Sequence, residues 1–216
     1  MNNSMPLPAR GGDASIARMP GQARKDFDKQ YYDRFYGRKR PLRRDVVNTK
    51  KLCDFVCAYL NYIGQPVRSV LDLGCGLGLW RDALAEHFPK ARYHGVEYSR
   101  YLCDEYGWEQ ASIVDYRTRT RADLVICQDT IQYLPDAEAS RALRNLARLT
   151  RGALYLSAPS EKDWRETADP RISDADVYKR SAQWYRQRLK PSCFNLGGGL
   201  FLRRDAPVAL WELERS

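Results

Sequence analysis

The stretch Val67-Arg68-Ser69-Val70-Leu71-Asp72-Leu73-Gly74-Cys75-Gly76-Leu77-Gly78 decides the fold. It begins as a short apolar run with β-branched residues and ends as a Gly-rich turn. A helical pattern, 79–88, follows at once. A strand that runs through such a turn into a helix opens a nucleotide-sized site in a doubly wound α/β fold. Glycine is needed there for two reasons. The chain turns tightly, and a ligand has to approach bare backbone that a Cβ would shield. Dinucleotide-binding turns space their glycines G-x-G-x-x-G/A. Here the third glycine comes one residue early, Leu79 stands where Gly or Ala belongs, and an acid, Asp72, precedes the turn. This spacing disfavours an NAD(P)-dependent dehydrogenase.

Downstream, strands and helices alternate, which predicts a mostly parallel sheet with helices on both faces. The expected order is strand 67–73, helix 79–88, strand 92–96, helix 99–106, short strand 110–113, strand 122–127, helix 136–149 and strand 152–157. Pro135 and Gly152 bracket the last of these helices. Beyond Pro159 the texture changes. Residues 160–174 read as a polar loop and 176–189 as a helix. Two strands are then expected, 192–195 continuing past Gly197-Gly198-Gly199 into 200–202, and 208–213, with the Gly triplet and Arg204-Asp205-Ala206-Pro207 as bend points. Upstream, Phe27, Tyr31 and Phe35 line one face of a helix. A second helix is expected from Asn48 or Thr49, with an apolar stripe of Leu52, Phe55, Val56, Tyr59, Leu60 and Ile63, stopped by Gly64 and Pro66.

With 216 residues the chain suits one domain. Residues 1–21 read as a flexible tail. Residues 22–216 divide into a helical cap (22–66), a core (67–159) and a lid with C-terminal strands (160–216). No stretch approaches the ~20 apolar residues of a membrane span, and 1–21 lack the apolar core of a signal peptide. A cytoplasmic location is therefore expected. The six cysteines are scattered and form no CxxC pair, as free buried cysteines do. Cys53 and Cys57 share a helix face, but no nearby His or Cys completes a zinc set, and no metal site is expected. The net charge of +9 is uneven: residues 1–66 hold 13 Lys/Arg against 6 Asp/Glu, whereas 67–160 hold 12 of each. The excess sits before the core, densest at Arg38-Lys39-Arg40 with Arg43-Arg44, a cluster able to meet RNA phosphates or an acidic substrate.

The Gly-rich turn heads an ordered set. An acid closes the second strand in Tyr93-His94-Gly95-Val96-Glu97. Another follows the third in Ala111-Ser112-Ile113-Val114-Asp115. The fourth strand runs into Gln128-Asp129-Thr130-Ile131-Gln132-Tyr133-Leu134. From about Val67 to Ser157 this set resembles the class I S-adenosylmethionine-dependent methyltransferases. The resemblance implies a Rossmann-like sheet ending in an antiparallel C-terminal hairpin. It implies S-adenosylmethionine as cofactor, with backbone at Gly74, Cys75, Gly76 and Gly78 against its methionyl and ribose portion. Asp72 is then placed to meet the amino group, partly through water. Glu97 accepts the ribose hydroxyls, Asp115 accepts from the adenine amino group, and Tyr98 or Tyr116 packs on adenine. Gln128 leads off the carboxyl end of the fourth strand, where ligands of open α/β sheets lie.

Methyl transfer from a sulfonium is an in-line displacement, so placement in a dry pocket is the main task. Neither histidine, His87 nor His94, lies on the substrate side, which argues against a His base. No N-P-P-Y or D-P-P-Y run follows the fourth strand, which argues against DNA adenine or protein amide acceptors. The remaining weak candidates for catalysis are Asp129, Tyr133 and Tyr32, among aromatic or charged neighbours Tyr31, Tyr36, Trp164, Tyr178, Arg180 and Trp184. The expected acceptor is a small molecule. Alternatives are an RNA methyltransferase using the basic N-terminal segment and a non-catalytic S-adenosylmethionine-binding regulatory partner.

Overall fold

The computed structural model describes residues 25, 27–37, 42–169 and 173–214. In chain order these form α1 (Lys29–Tyr36), α2 (Leu42–Tyr62), β1 (Ser69–Leu73), α3 (Leu79–His87), β2 (Arg92–Glu97), α4 (Arg100–Tyr106) and β3 (Glu109–Gln110). There follow β4 (Ala122–Gln128), a 3-10 turn (Ile131–Tyr133), α5 (Asp136–Leu149), β5 (Thr150–Ser157), α6 (Glu161–Glu166), α7 (Ala182–Leu189), β6 (Cys193–Gly197) and β7 (Leu200–Arg203). The strands make one seven-stranded sheet in the order β3-β2-β1-β4-β5-β7-β6. β1 to β5 run parallel, and β7 pairs antiparallel with both β5 and β6.

The period-2 alternation of each strand sorts its side chains onto two cores. Leu71, Leu73, Val125, Cys127, Leu154, Leu156 and Phe201 pack with α5 and α7. Val70, Leu124, Ile126, Ala153, Tyr155, Leu200 and Leu202 pack with α2 and α3. The helices answer with apolar stripes. In α5 these are Ala139, Ala142, Leu143, Leu146 and Leu149, and in α2 Cys53, Val56, Cys57 and Leu60. At the amino end of the sheet Asp123, 3% exposed, accepts from the backbone N–H groups of Arg68 and Ser69 at 2.9 and 3.0 Å. It also accepts from Ser69 Oγ at 3.0 Å and Arg151 Nε at 2.7 Å. One carboxylate thus ties β1, β4 and β5.

The sheet and helix alternation of 67–157 match the sequence reading, and the flanks differ. The third strand stops at Gln110, because Asn145 of α5 donates its side-chain amide to the carbonyls of Ile113 and Tyr116, at 3.0 and 3.1 Å. Ala111 N–H still donates to Glu97 O of β2 at 3.0 Å, and beyond it the Ile113 carbonyl is taken by Asn145 in place of a ladder. The expected loop 160–174 opens with α6, started by a reciprocal cap between Ser160 and Asp163. The expected helix 176–189 begins only at Ala182, behind the cap Ser181. Before it, Tyr178 N–H donates to Gln132 O at 2.8 Å. The C-terminal hairpin is β6–β7, turned at Gly197, Gly198 and Gly199, which all have positive φ. The expected strand 208–213 is absent: β7 already has a partner on each edge, and Val208 and Leu210 pack as loop residues. α2 starts at Leu42, earlier than expected. The tail 1–21 and Arg38-Lys39-Arg40 lie outside the described residues.

Candidate functional site

The strand order reverses between β1 and β4. Crevices at such switch points, beyond the carboxyl ends of the strands, are where open α/β sheets bind ligands. On the β1 side stands the Gly-rich turn. Gly74 and Cys75 both donate their N–H to Val96 O, at 2.8 and 3.2 Å. Gly74, Gly76 and Gly78 have φ of +82°, +52° and +75°, a region that L side chains rarely enter. Their surroundings differ. A Cβ on Gly74 would stand 2.2 Å from Thr130 Oγ1, and one on Gly78 would stand 2.8 Å from the Trp108 ring. At Gly76 nothing lies within 4 Å. Gly76 is therefore where bare backbone meets open space, a cradle that a side chain would fill.

Glu97 closes β2 beside this turn and is 6% exposed. Its Oε2 accepts from Gly76 N–H at 2.9 Å, and its Oε1 accepts from the N–H groups of Tyr98 and Ser99 at 2.8 and 2.9 Å. Trp108 supports the turn from behind, donating Nε1–H to Gly76 O at 3.0 Å. Arg81 lies over its ring. Asp72 lies lower than its sequence position suggests. It is 1% exposed on the α2–α3 face and accepts the Tyr93 hydroxyl at 2.6 Å. Burial pushes its carboxyl up to about 7, with Tyr93 acting in the opposite direction.

The unfolded value is about 4, so the folded state binds the Asp72 proton more tightly. This contribution to stability is fully present below about pH 4 and is lost as pH rises towards 7. Asp72→Asn abolishes that titration. The urea midpoint of the variant minus that of the wild type is expected to grow between pH 4 and 7 and then level off. A flat difference across that window would show that Asp72 does not titrate there.

On the β4 side, Gln128 Oε1 accepts from Trp80 Nε1 at 2.7 Å, while its Nε2 donates to Asp129 at 3.3 Å. Asp129 is exposed, and among the described residues it is the non-glycine with positive φ, +51°. Such strain concentrates at functional sites. Above both sides lies α1. Phe27, just before it, accepts Ser99 Oγ–H at its carbonyl. The Tyr31 hydroxyl meets the Tyr133 hydroxyl at 2.9 Å. Phe27 packs edge-on against Tyr31 and Tyr133, and Tyr32 packs against Tyr101. Beside α1 a cavity of about 650 Å³ is lined in part by Lys25, Tyr31, Arg34 and Asp174. Burial raises the pKa of Tyr31, Tyr32 and Tyr133 well above the usual phenol range. This burial disfavours the phenolate form of each.

The remaining expected residues scatter. Cys75 is buried, its Sγ packed against Gly95, so it turns only backbone outward. Tyr98 is half-buried after β2, and Asp115 is exposed on the loop after β3. Tyr116 is a core ring, 7% exposed, its hydroxyl 3.3 Å from Glu109, and is no open platform for a base. Arg180, 4% exposed, donates to Asp136 at 2.8 Å and to the carbonyls of Ile131 and Leu134. It braces the turn that carries Tyr133. Trp184 lies against Arg180 and Arg188. His94 pairs with Glu109 and His87 with Asp54, each at 2.7 Å. Sequence reasoning passed over Trp108, Trp80 and Ser99. A Ser two residues after the strand-closing acid, capping the next helix, was the one legible signal among them.

The family described as "Methyltransferase domain" matches residues 71–152. The trans-aconitate 2-methyltransferase of Azoarcus sp. (strain BH72) is 28% identical over 185 residues, covering 76% of this chain and 68% of that protein. The ubiquinone biosynthesis O-methyltransferase of Coxiella burnetii (strain Dugway 5J108-111) is 31% identical over 116 residues, 45% of this chain and 48% of that protein. The chain thus spans about two thirds of the first relative and about half of the second. Among solved structures, magnesium protoporphyrin IX methyltransferase from Synechocystis PCC 6803, with bound S-adenosylhomocysteine, superposes with a TM-score of 0.60 at 20% identity, over 82% of this chain and 96% of that one. The sugar N-methyltransferase KedS8 from Streptoalloteichus sp ATCC 53650 gives 0.60 at 21%, over 91% and 98%. The sheet order is that of the Rossmann-like fold of class I methyltransferases, and residues 71–152 match a methyltransferase domain. The proteins it resembles are methyltransferases, and the Synechocystis neighbour holds S-adenosylhomocysteine. Among the described residues, no helix is long and apolar enough to cross a membrane.

Proposed function

We propose that the chain transfers the methyl group of S-adenosylmethionine to a small-molecule acceptor with a planar or apolar body, at the carboxyl ends of β1 and β4 under α1. The observation that carries this reading is the open space at Gly76, framed by Glu97 and roofed by Tyr31, Tyr32 and Tyr133. In it, the backbone at Gly74–Gly78 and the carboxylate of Glu97 hold the methionyl and ribose portion. Three of Glu97's lone-pair positions are occupied by N–H groups, which aim the carboxylate and leave capacity for a hydroxyl. Asp72 acts from below, through Tyr93, as a positioning residue. Gln128, held by Trp80, and the strained Asp129 flank the methyl. The acceptor's lone pair forms the new bond to the methyl carbon as the sulfur–carbon bond breaks. Where the acceptor carries a proton, Asp129 is the carboxylate near enough to the crevice to take it.

The relatives support a small-molecule acceptor by what their names say they act on, trans-aconitate and a ubiquinone precursor pathway among them. No described residue favours the RNA alternative over it. The test is a screen of polycarboxylates, phenols and amines, with S-adenosylhomocysteine release as the readout and calorimetry for cofactor affinity. Turnover with one small class, insensitive to salt, is the expected result. Cofactor binding with activity only on RNA, falling steeply with salt, would overturn the acceptor assignment. Absence of cofactor binding at high micromolar concentration would overturn the site.

A further inference from the structure

Far from the crevice, tertiary packing assembles a second cluster of chemistry. Cys53 and Cys57 lie one turn apart on α2, both fully buried, with their sulfurs 3.7 Å apart. α3 packs on α2, and its last residue is His87. One ring nitrogen of His87 and both sulfurs lie within 4.8 Å of one another. Among the described residues this is the group of three so placed. The sequence expectation that no His or Cys completes a set around this pair is therefore corrected: the third donor comes from α3, outside any local motif.

The spacing suits coordination. Two thiolates on one tetrahedral zinc, each with a Zn–S distance of about 2.3 Å, stand about 3.7–3.8 Å apart. The imidazole is held from outside: His87 Nε2 lies 2.7 Å from Asp54 Oδ1. That leaves Nδ1 as the nitrogen without this carboxylate. A carboxylate on the far nitrogen of a ligating imidazole is the usual device that fixes its orientation and raises its basicity. Asp54 is on α2 and half-exposed, as is His87, so an ion has a route in from that side. Two soft sulfurs and one imidazole select zinc(II) or another d¹⁰ ion over magnesium or calcium.

We propose that Cys53, Cys57 and His87 bind one zinc ion that staples α2 to α3, with Asp54 orienting the imidazole and a water completing the tetrahedron. On binding, two S–H bonds lose their protons to solvent as two Zn–S bonds form, and neutral His87 donates its ring lone pair. No redox change is involved. The staple acts at the end of α3 opposite Leu79, so it supports the helix behind the Gly-rich turn without touching the crevice.

Cobalt(II) is the probe. The full chain is stripped with a chelator and titrated with cobalt(II), then with zinc(II). The expected result is one equivalent of cobalt with a thiolate-to-metal charge-transfer band, displaced by zinc, and a higher melting temperature with zinc than without. Cys53→Ser and His87→Ala are each expected to weaken zinc binding at least 100-fold. Asp54→Asn should weaken it about 10- to 100-fold. Cys193→Ser, on β6, should leave the band intact. Circular dichroism and S-adenosylhomocysteine affinity check that each variant still folds. A wild-type chain with no charge-transfer band and no zinc-dependent melting shift would overturn the proposal. So would a band that survives in a folded Cys53→Ser variant.

Discussion

Gly76→Val is expected to lower affinity for S-adenosylhomocysteine by about 100-fold or more while the protein stays folded. The backbone cost is modest, because a side chain at φ +52° is strained by roughly 1–2 kcal/mol. That corresponds to a fall in melting temperature of roughly 2–8 °C for a chain of this size. The ligand cost is larger, because the valine methyls occupy the space into which no protein atom within 4 Å projects. Gly64 supplies the control. It also has positive φ, +71°, and open surroundings, but it follows α2 away from the crevice. Gly64→Val is expected to show a similar thermal loss with unchanged cofactor affinity. Calorimetry of both variants separates the effects. Wild-type affinity in Gly76→Val would place the cofactor elsewhere.

Asp123→Ala should cost about 3 kcal/mol of stability and leave cofactor affinity alone. The carboxylate satisfies two partly buried backbone N–H groups and the Ser69 hydroxyl. Removing it orphans donors that have no other acceptor in place, at about 1–3 kcal/mol each when buried. Arg151 contributes less than its 2.7 Å bond suggests, since its side chain is 55% exposed and water replaces its partner. Against a total stability of about 5–15 kcal/mol this is a large fraction. Asp123→Asn keeps one acceptor oxygen and should lose roughly half as much. Urea unfolding gives the stability, and calorimetry with S-adenosylhomocysteine gives the affinity. A loss under about 1 kcal/mol would mean that water takes over both N–H groups. A parallel loss of affinity would mean that the two ends of the sheet are coupled.

Asp123 and Glu97 show how unevenly a sequence displays its acids. Glu97 was legible because it closes a strand at a fixed place relative to a Gly-rich turn. Asp123 opens a strand and looked like any solvated charge. Its importance comes from Arg68, Ser69 and Arg151, which no local pattern connects to it. Asp72 is intermediate. Its presence before the turn was readable, but its burial beneath the crevice was set by the face of β1 on which the alternation places it, and by Tyr93 across the sheet.

The sequence by itself determined the strand–turn–helix unit and the alternation that sorts two cores, while the cofactor expectation came from a family resemblance spread over 67–157. The first two rest on interactions within a few residues: period-2 and period-3.6 apolar spacing, and the positive φ that only glycine supplies cheaply. The tertiary structure alone decided what stands around the crevice. The roof of Tyr31 on Tyr133, the wall of Trp108 behind Gly76, the grip of Trp80 on Gln128 and the gathering of Cys53, Cys57 and His87 all join residues remote in the chain. Such contacts depend on how helices settle on a finished sheet. Local pattern states which face of a helix is apolar but not which residue of another element it will meet.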